Sequence, residues 1–547
     1  METKRNIIFT VLCSILIIIF CISICPVELQ NDTFYTVKIG EYIMQNGIGV
    51  LHNGIDPFSW HDDLPYTFPH WGYDCIIYFF YSIAGFLGVH ISTLIFACIL
   101  GLSVFFINTK LSKNSLTSFI LTLMLMYLMR AYVAARAQLV TFILFIWTIY
   151  FIEMYLKTAK KRYAIPLIII PIIIANVHLA VWPFYFVLYL PYIAEYIISW
   201  LPDLYLNIGK FRVNRINKRI KTGKIYGKKK EKANETTAKL MEKNKIFSEN
   251  IEKRKEHSYK LIVEKNNNVL GLIIIVLLCA FTGFLTPLGN TPYTYLINTL
   301  QGNTMKSISE HLPLTLIESK DFMCVLSVFL VILLFTDTKI KLRDFFMISG
   351  LLLMALSTRR QVSMFVLIGF VILNRIICSF VDKYDPNGCN NMKKFMLTIP
   401  GIIITIGVVL ICSLYMLKPK INNQFINQNS YPVSACDYIL ENVDIKNMKI
   451  FNDYNYGSYL LYRNIPVFID SRCDLYAPEY NGGQDIFSDY INIANIGVYY
   501  EDKFEEYEIT HVLIYKKSKL NMLISKNKGK YNLLYSDDKF CFYKIEK

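Results

Sequence analysis

Carboxylates, arginines and histidines recur in this chain where long apolar stretches begin and end, and these are the residue types that a group-transfer reaction needs. Asp32 stands a few residues past the first apolar run, in QNDTFYTVKIGEYI, and the stretch DPFSWHDDLPYTFPHW adds Asp56, His61, Asp62, Asp63, His70 and Trp71. A carboxylate fixed in such a place can act as general base on a hydroxyl or hold a divalent cation. The aromatic residues beside it can stack on sugar rings or sit at a headgroup belt. A solvated acidic loop has the same composition. Arg130 and Arg136 flank RAYVAARAQ, His178 sits in ANVHLAVW, Glu310 and His311 in SISEHLPL, and Arg359 and Arg360 in STRRQ. A guanidinium grips phosphate through paired hydrogen bonds. Otherwise each of these arginines pairs with a loop carboxylate or a lipid phosphate and only fixes a helix end.

Positioning such groups falls to the apolar stretches themselves. The 547 residues are 54% hydrophobic, 15% aromatic and 18% charged, with a mean hydropathy of +0.36. A soluble domain carries about 25% charged residues, so this composition excludes a disordered chain and argues against a water-soluble enzyme. Windows of about 19 residues, enough to cross some 30 Å of hydrocarbon, give about eleven helices. They fall at 7–25, 88–107, 116–132, 138–156, 164–178, 180–200, 268–288, 322–336, 344–358, 362–380 and 395–417. The segment 73–87 is too short to cross and reads as an interfacial helix. No small-residue cleavage site follows the first span, which therefore reads as an anchor rather than a secretory signal.

With the N-terminus in the cytoplasm, Lys110 and Lys113, the run Lys157 to Arg162, the segment 201–267, Lys339 to Arg343 and Lys383 to Lys394 all fall inside. The first outer loop, 26–87, holds seven acidic residues against Lys38 alone. This is the bias expected of cytoplasmic and outer loops, and it places the C-terminus outside. Arg130, Arg136, His178, Glu310, His311, Arg359 and Arg360 then share the outer face, where cations run against the bias and need a separate reason.

The net charge of +15 is concentrated in one place, since the loop 207–265 carries 19 Lys and Arg against 7 Asp and Glu. With almost no apolar periodicity it reads as a partly disordered segment or a solvated helical hairpin, a basic cytoplasmic insertion drawn to anionic headgroups. Nothing in it alternates aromatic and basic residues as a single-strand binding surface does, so no nucleic-acid partner is expected. Residues 418–547 are nearly balanced, and their short β-type runs at 449–451, 466–470, 510–515 and 539–544 alternate with helical stretches. That alternation argues a small α/β domain. Asp470 and Arg472 follow the second run, placed to face a ligand from a loop or to form an internal ion pair. Asp453 stands where an N-cap would, ahead of Tyr456 and Gly457. The 13 cysteines include no C-x-x-C pair, and neither a zinc spacing nor a Gly-rich phosphate loop occurs.

An Asp soon after the first span, a DPFS-containing loop ending in an aromatic-rich helix, RAQL before a span and NVH at a turn together resemble bacterial polytopic glycosyltransferases of the GT-C superfamily, related to dolichyl-phosphate-mannose protein mannosyltransferases. The tail, FNDYNYGSYLLYRNIPVFIDSRCDLY, is similar to a branch of that group in which Asn, Asp, Gly and a D-x-R element recur. The insertion 207–265 and the HDD triplet depart from the pattern. The resemblance implies transfer of a sugar from a polyprenyl-phosphate donor to an acceptor hydroxyl at the outer face. On it, Asp32 is the general base, Asp62 or Asp63 a second carboxylate that orients the acceptor or binds a divalent cation, and Arg136, Arg359, Arg360 and His178 the holders of the donor phosphate. Asp56, His61, Glu310, Asp470 and Arg472 are further candidates.

The expected fold is thus an α-helical polytopic membrane protein, residues 1–417, with a C-terminal extracytoplasmic α/β domain, residues 418–547. A lipid-linked glycan polymerase or ligase shares the donor chemistry but calls for a large outer loop between late spans. A transporter would show repeated halves and charges near the midplane, and a non-catalytic scaffold would need no cavity.

Overall fold

The computed structural model describes residues 2–256, 260–301, 311–315 and 320–546, so Glu310 lies outside the described residues. Seven helices among these are long and apolar enough to cross a membrane: Lys4–Ile24, Trp71–Ser112, Ser115–Tyr132, Ala137–Thr158, Leu179–Lys221, Arg359–Tyr384 and Ile399–Lys420. Four other stretches read as spans form the shorter helices Lys161–Val177, Asn268–Cys279, Lys320–Phe335 and Leu342–Ser357. At 1.5 Å per residue a 16-residue helix reaches only about 24 Å, short of the hydrocarbon thickness on its own.

The interfacial helix expected at 73–87 and the span after it run on as one element, Trp71–Ser112, broken at Ala84 and Gly85. Gly85 takes φ 56° and ψ −142°, a conformation essentially reserved for glycine, and this turns the chain from the first polar loop into the long apolar helix. Helix Leu190–Lys221 continues unbroken through position 207 and packs antiparallel on Lys228–Glu256. The basic insertion is therefore a helical hairpin. Its seam is thin: Tyr205 meets Phe247 at 4.3 Å between ring centroids, and Gly209 lies against the Asn244 amide.

Both ends of that hairpin are tied to one arginine. Arg343 donates to Glu195 at 3.0 Å, to Glu264 at 2.8 Å and to Glu153 at 3.3 Å, while Arg375 bridges Glu153 at 2.9 Å and Asp344 at 3.0 Å. Beside it, β1 (Leu261–Ile262) pairs in parallel with β2 (Ile340–Lys341). Helix Leu342–Ser357 starts at this network and leads, about 24 Å away, to Arg359 and Arg360.

The tail builds a mixed sheet from β3 (Ile450–Asn452), β4 (His511–Tyr515), β5 (Tyr531–Ser536) and β6 (Phe540–Ile545), in the order β3-β4-β6-β5. Strands β3 and β4 are parallel and the other pairs antiparallel. Residues 466–470, expected as a strand, do not join it. Their backbone is satisfied by Asn452, which accepts from Phe468 N at 2.9 Å and donates to Ile469 O at 2.7 Å, and Val467 bridges to Ser59 of the first polar loop. Asp453 caps helix Tyr454–Tyr462 by accepting from Asn455 N at 2.9 Å. Gly457 lets that helix lie on the 469–470 backbone, since a Cβ there would overlap the Ile469 carbonyl.

Tail and first polar loop share one hydrophobic core. Phe34 packs edge-on against Tyr431 at 4.9 Å and Tyr459 at 5.1 Å. Trp60 donates to Ile450 O at 2.9 Å, His61 to Phe468 O at 2.8 Å and Asn31 to Tyr454 O at 2.9 Å. The sequence boundary at 418 therefore does not mark a free-standing module: the tail is seated on residues 26–87.

Candidate functional site

Where the tail meets the apolar helices there is a cavity of about 470 Å³. Helices Asn31–Asn46, Trp71–Ser112, Ala137–Thr158 and Val362–Tyr384 begin at or beside it, bringing Asp32, His70, Arg136 and Arg360 to its wall from their first turns or the residue or two just before them. Unpaired N–H groups at helix starts carry partial positive charge, so four helix N-termini and two guanidinium groups make this space favourable for an anion.

Asp32 and Arg136 form an ion pair at 2.6 Å, each side chain less than a third exposed. General base and phosphate grip, as read from sequence, are thus held against one another. Arg360 reaches the same cavity, and among the described residues no carboxylate pairs with it. His178 is buried, with Nδ1 2.8 Å from the Thr141 hydroxyl and its ring 5.0 Å from that of His70. Burial, then the charges of Arg360 and Arg136, push the His70 imidazole down to about 3. At neutral pH His70 is uncharged.

Several expected site residues lie elsewhere. Asp62 and Asp63 are exposed in a turn of the first polar loop, Asp63 with φ 53°, and neither reaches the cavity. The neighbouring residues explain why: His61 is drawn inward to the tail and Leu64 into the core, leaving the two carboxylates between them on the outer bend. Arg359 turns to the carbonyl of Pro313 at 3.4 Å and holds residues 311–315 instead. Arg130 pairs with Asp321 at 3.3 Å over the Tyr127 ring.

Asp56, Asp470 and Arg472 form a buried triad, with side chains 0%, 0% and 2% exposed. Arg472 donates to Asp56 at 2.5 Å and to Asp470 at 2.7 Å, and Tyr476 adds a hydrogen bond to Asp470 at 2.7 Å. Its flanking carboxylates hold the Arg472 guanidinium protonated despite burial. Of the two sequence readings, the internal ion pair is the one the geometry has, extended to a partner 416 residues away.

Asp474 is a cavity residue that the sequence reading passed over. It accepts from the Tyr295 hydroxyl and from the Cys473 thiol, and among the described residues no cation pairs with it. Its signal was present: Asp474 follows D-x-R by two positions in DSRCD. No group of three His, Cys, Asp or Glu is arranged to hold a metal ion among the described residues. The chain matches no protein-family model and no curated protein sequence.

Proposed function

We propose that this chain is a membrane glycosyltransferase that moves a sugar from a polyprenyl-phosphate donor to an acceptor hydroxyl on the extracytoplasmic face. The observation that carries the reading is Arg360, a cation without a carboxylate among the described residues, at the meeting point of four helix N-termini and beside the Asp32–Arg136 pair. In the reaction Asp32 takes the acceptor proton, the freed oxygen attacks the anomeric carbon, and the bond from that carbon to the phosphate oxygen breaks. The lipid phosphate leaves with the bonding electrons, and Arg360 and the helix N-termini stabilise its charge. Arg136 fixes the Asp32 carboxylate in place. Inversion at the sugar follows from a single displacement. No nucleotide is consumed, in keeping with a sequence that offers no nucleotide motif.

The test is transfer by the reconstituted chain from a panel of polyprenyl-phosphate sugars. Arg360→Gln is expected to reduce turnover by about 10²–10³-fold, the loss typical when one donor to a developing oxyanion is removed. Full activity in this variant would overturn the phosphate role. Topology is checked separately: Lys528→Cys, on an exposed turn of the tail, should react with a membrane-impermeant maleimide on intact cells. Labelling only after lysis would put the cavity on the wrong side.

A further inference from the structure

The two walls of the cavity differ in chemistry. One presents Arg136 with its partner Asp32, Arg360, His70 and His178 from the apolar helices and the first polar loop, so that Arg360 is its cation without a carboxylate among the described residues. The other comes from the tail and helix Thr291–Gln301, and presents Tyr454, Asn455, Ser471, Asp474, Tyr480 and Tyr295. The tail's cation at this wall, Arg472, is committed to Asp56 and Asp470. The hydroxyls of Tyr295, Tyr480, Tyr454 and Ser471 are bonded within the protein as well, so what this second wall offers a ligand is tyrosine faces and one carboxylate without a counter-cation among the described residues, Asp474, a set that accepts from polyol hydroxyls and repels anions. Cys473, Asp474, Asp32 and Arg360 all line this one cavity, so the two walls face the same space.

Resting on the glycosyl-phosphate reading above, we infer that the tail wall is the sugar subsite, with Asp474 its specificity-determining residue, and that the transferred sugar is neutral or aminated and never acidic. With phosphate at Arg360, the attached sugar reaches the opposite wall, where its hydroxyls donate to Asp474 and one face stacks on tyrosine. A sugar carboxylate entering there would meet the Asp474 charge at close range in a partly desolvated space, where like charges repel far more strongly than in water. The Tyr295 bond does not relieve this, because a phenol donates a hydrogen bond without neutralising the charge.

Soluble headgroups test this without any transfer activity. The full-length chain in nanodiscs is titrated with glucose 1-phosphate, glucuronic acid 1-phosphate and inorganic phosphate, followed by ligand-observed NMR. The two sugars share every stereocentre and differ in the C6 carboxylate, so their ratio isolates the charge. Wild type is expected to favour glucose 1-phosphate by about tenfold or more, the equivalent of one pKa unit of interaction. Asp474→Asn, which keeps the acceptor oxygen for Tyr295, should narrow the ratio below about threefold, mainly by improving glucuronic acid 1-phosphate, and Asp474→Glu should restore it. Equal binding of the two sugars by wild type, or a ratio that Asp474→Asn leaves unchanged, overturns the subsite while phosphate binding that depends on Arg360 still supports the donor reading. Failure of wild type to bind any of the three phosphates overturns both.

Discussion

Arg472→Met is expected to destabilise the protein by about 3–5 kcal/mol, the cost of breaking a buried ion pair by removing one partner. The guanidinium lies between Asp56 and Asp470 at 2.5 and 2.7 Å, and neither carboxylate is exposed to solvent. Removing the cation leaves two like charges buried side by side, with Tyr476, Ser59 N and Arg472 N as the hydrogen-bond donors that remain. Hydrogen bonds from neutral groups do not replace a counter-charge in a low-dielectric setting. Because Asp56 belongs to the first polar loop and Asp470 to the tail, relief comes by separating these two parts, so the tail should lose protease resistance before the apolar helices unfold. Denaturant titration followed by limited proteolysis reads both effects. Asp62→Asn, on an exposed turn of the same loop, should change stability by no more than about 0.5 kcal/mol. Equal behaviour of the two variants would mean that the triad does not hold the tail in place.

That triad shows where sequence reading stops. Local pattern placed the apolar helices, the Asp453 cap and three of the four tail strands, because each depends on neighbours within a few residues. Asp56 and Arg472 are joined across 416 positions, and no periodicity encodes such a pair. For the same reason Asp56 and Asp62 looked alike in DPFSWHDD, although one is buried and the other exposed. Residues 466–470 have strand composition, yet the Asn452 side chain takes the hydrogen bonds a sheet neighbour would have supplied. The basic insertion read as nearly aperiodic because its seam includes Gly209 and Asn244, polar or small residues that carry little hydrophobic signal. Conversely, Glu153, Glu195 and Arg375 stand inside the spans read at 138–156, 180–200 and 362–380. Ionisable groups in apolar spans demand partners, and asking for them would have found the Arg343 network.

Asp32→Asn is expected to lower transfer by about 10²–10⁴-fold, the usual worth of a positioned general base, with the protein inserted and folded as before. Charge and position make the variant informative beyond its activity. Asp32 is the carboxylate that neutralises Arg136 at 2.6 Å, so the neutral amide leaves a second guanidinium uncompensated beside Arg360. Inorganic phosphate should then bind as tightly as to wild type or more tightly, while turnover falls. Arg136→Gln has the opposite signature: phosphate binding weakens because Asp32 now presents an unbalanced negative charge to the cavity, and turnover falls through a misplaced carboxylate. If Asp32 acted only by holding Arg136, Asp32→Asn added to Arg136→Gln would cost no further turnover. If Asp32 is the base, phosphate affinity and turnover move in opposite directions in Asp32→Asn and together in Arg136→Gln. Both quantities can be measured on the same nanodisc preparation, and a variant that keeps full turnover with the amide at position 32 removes the carboxylate from the chemistry.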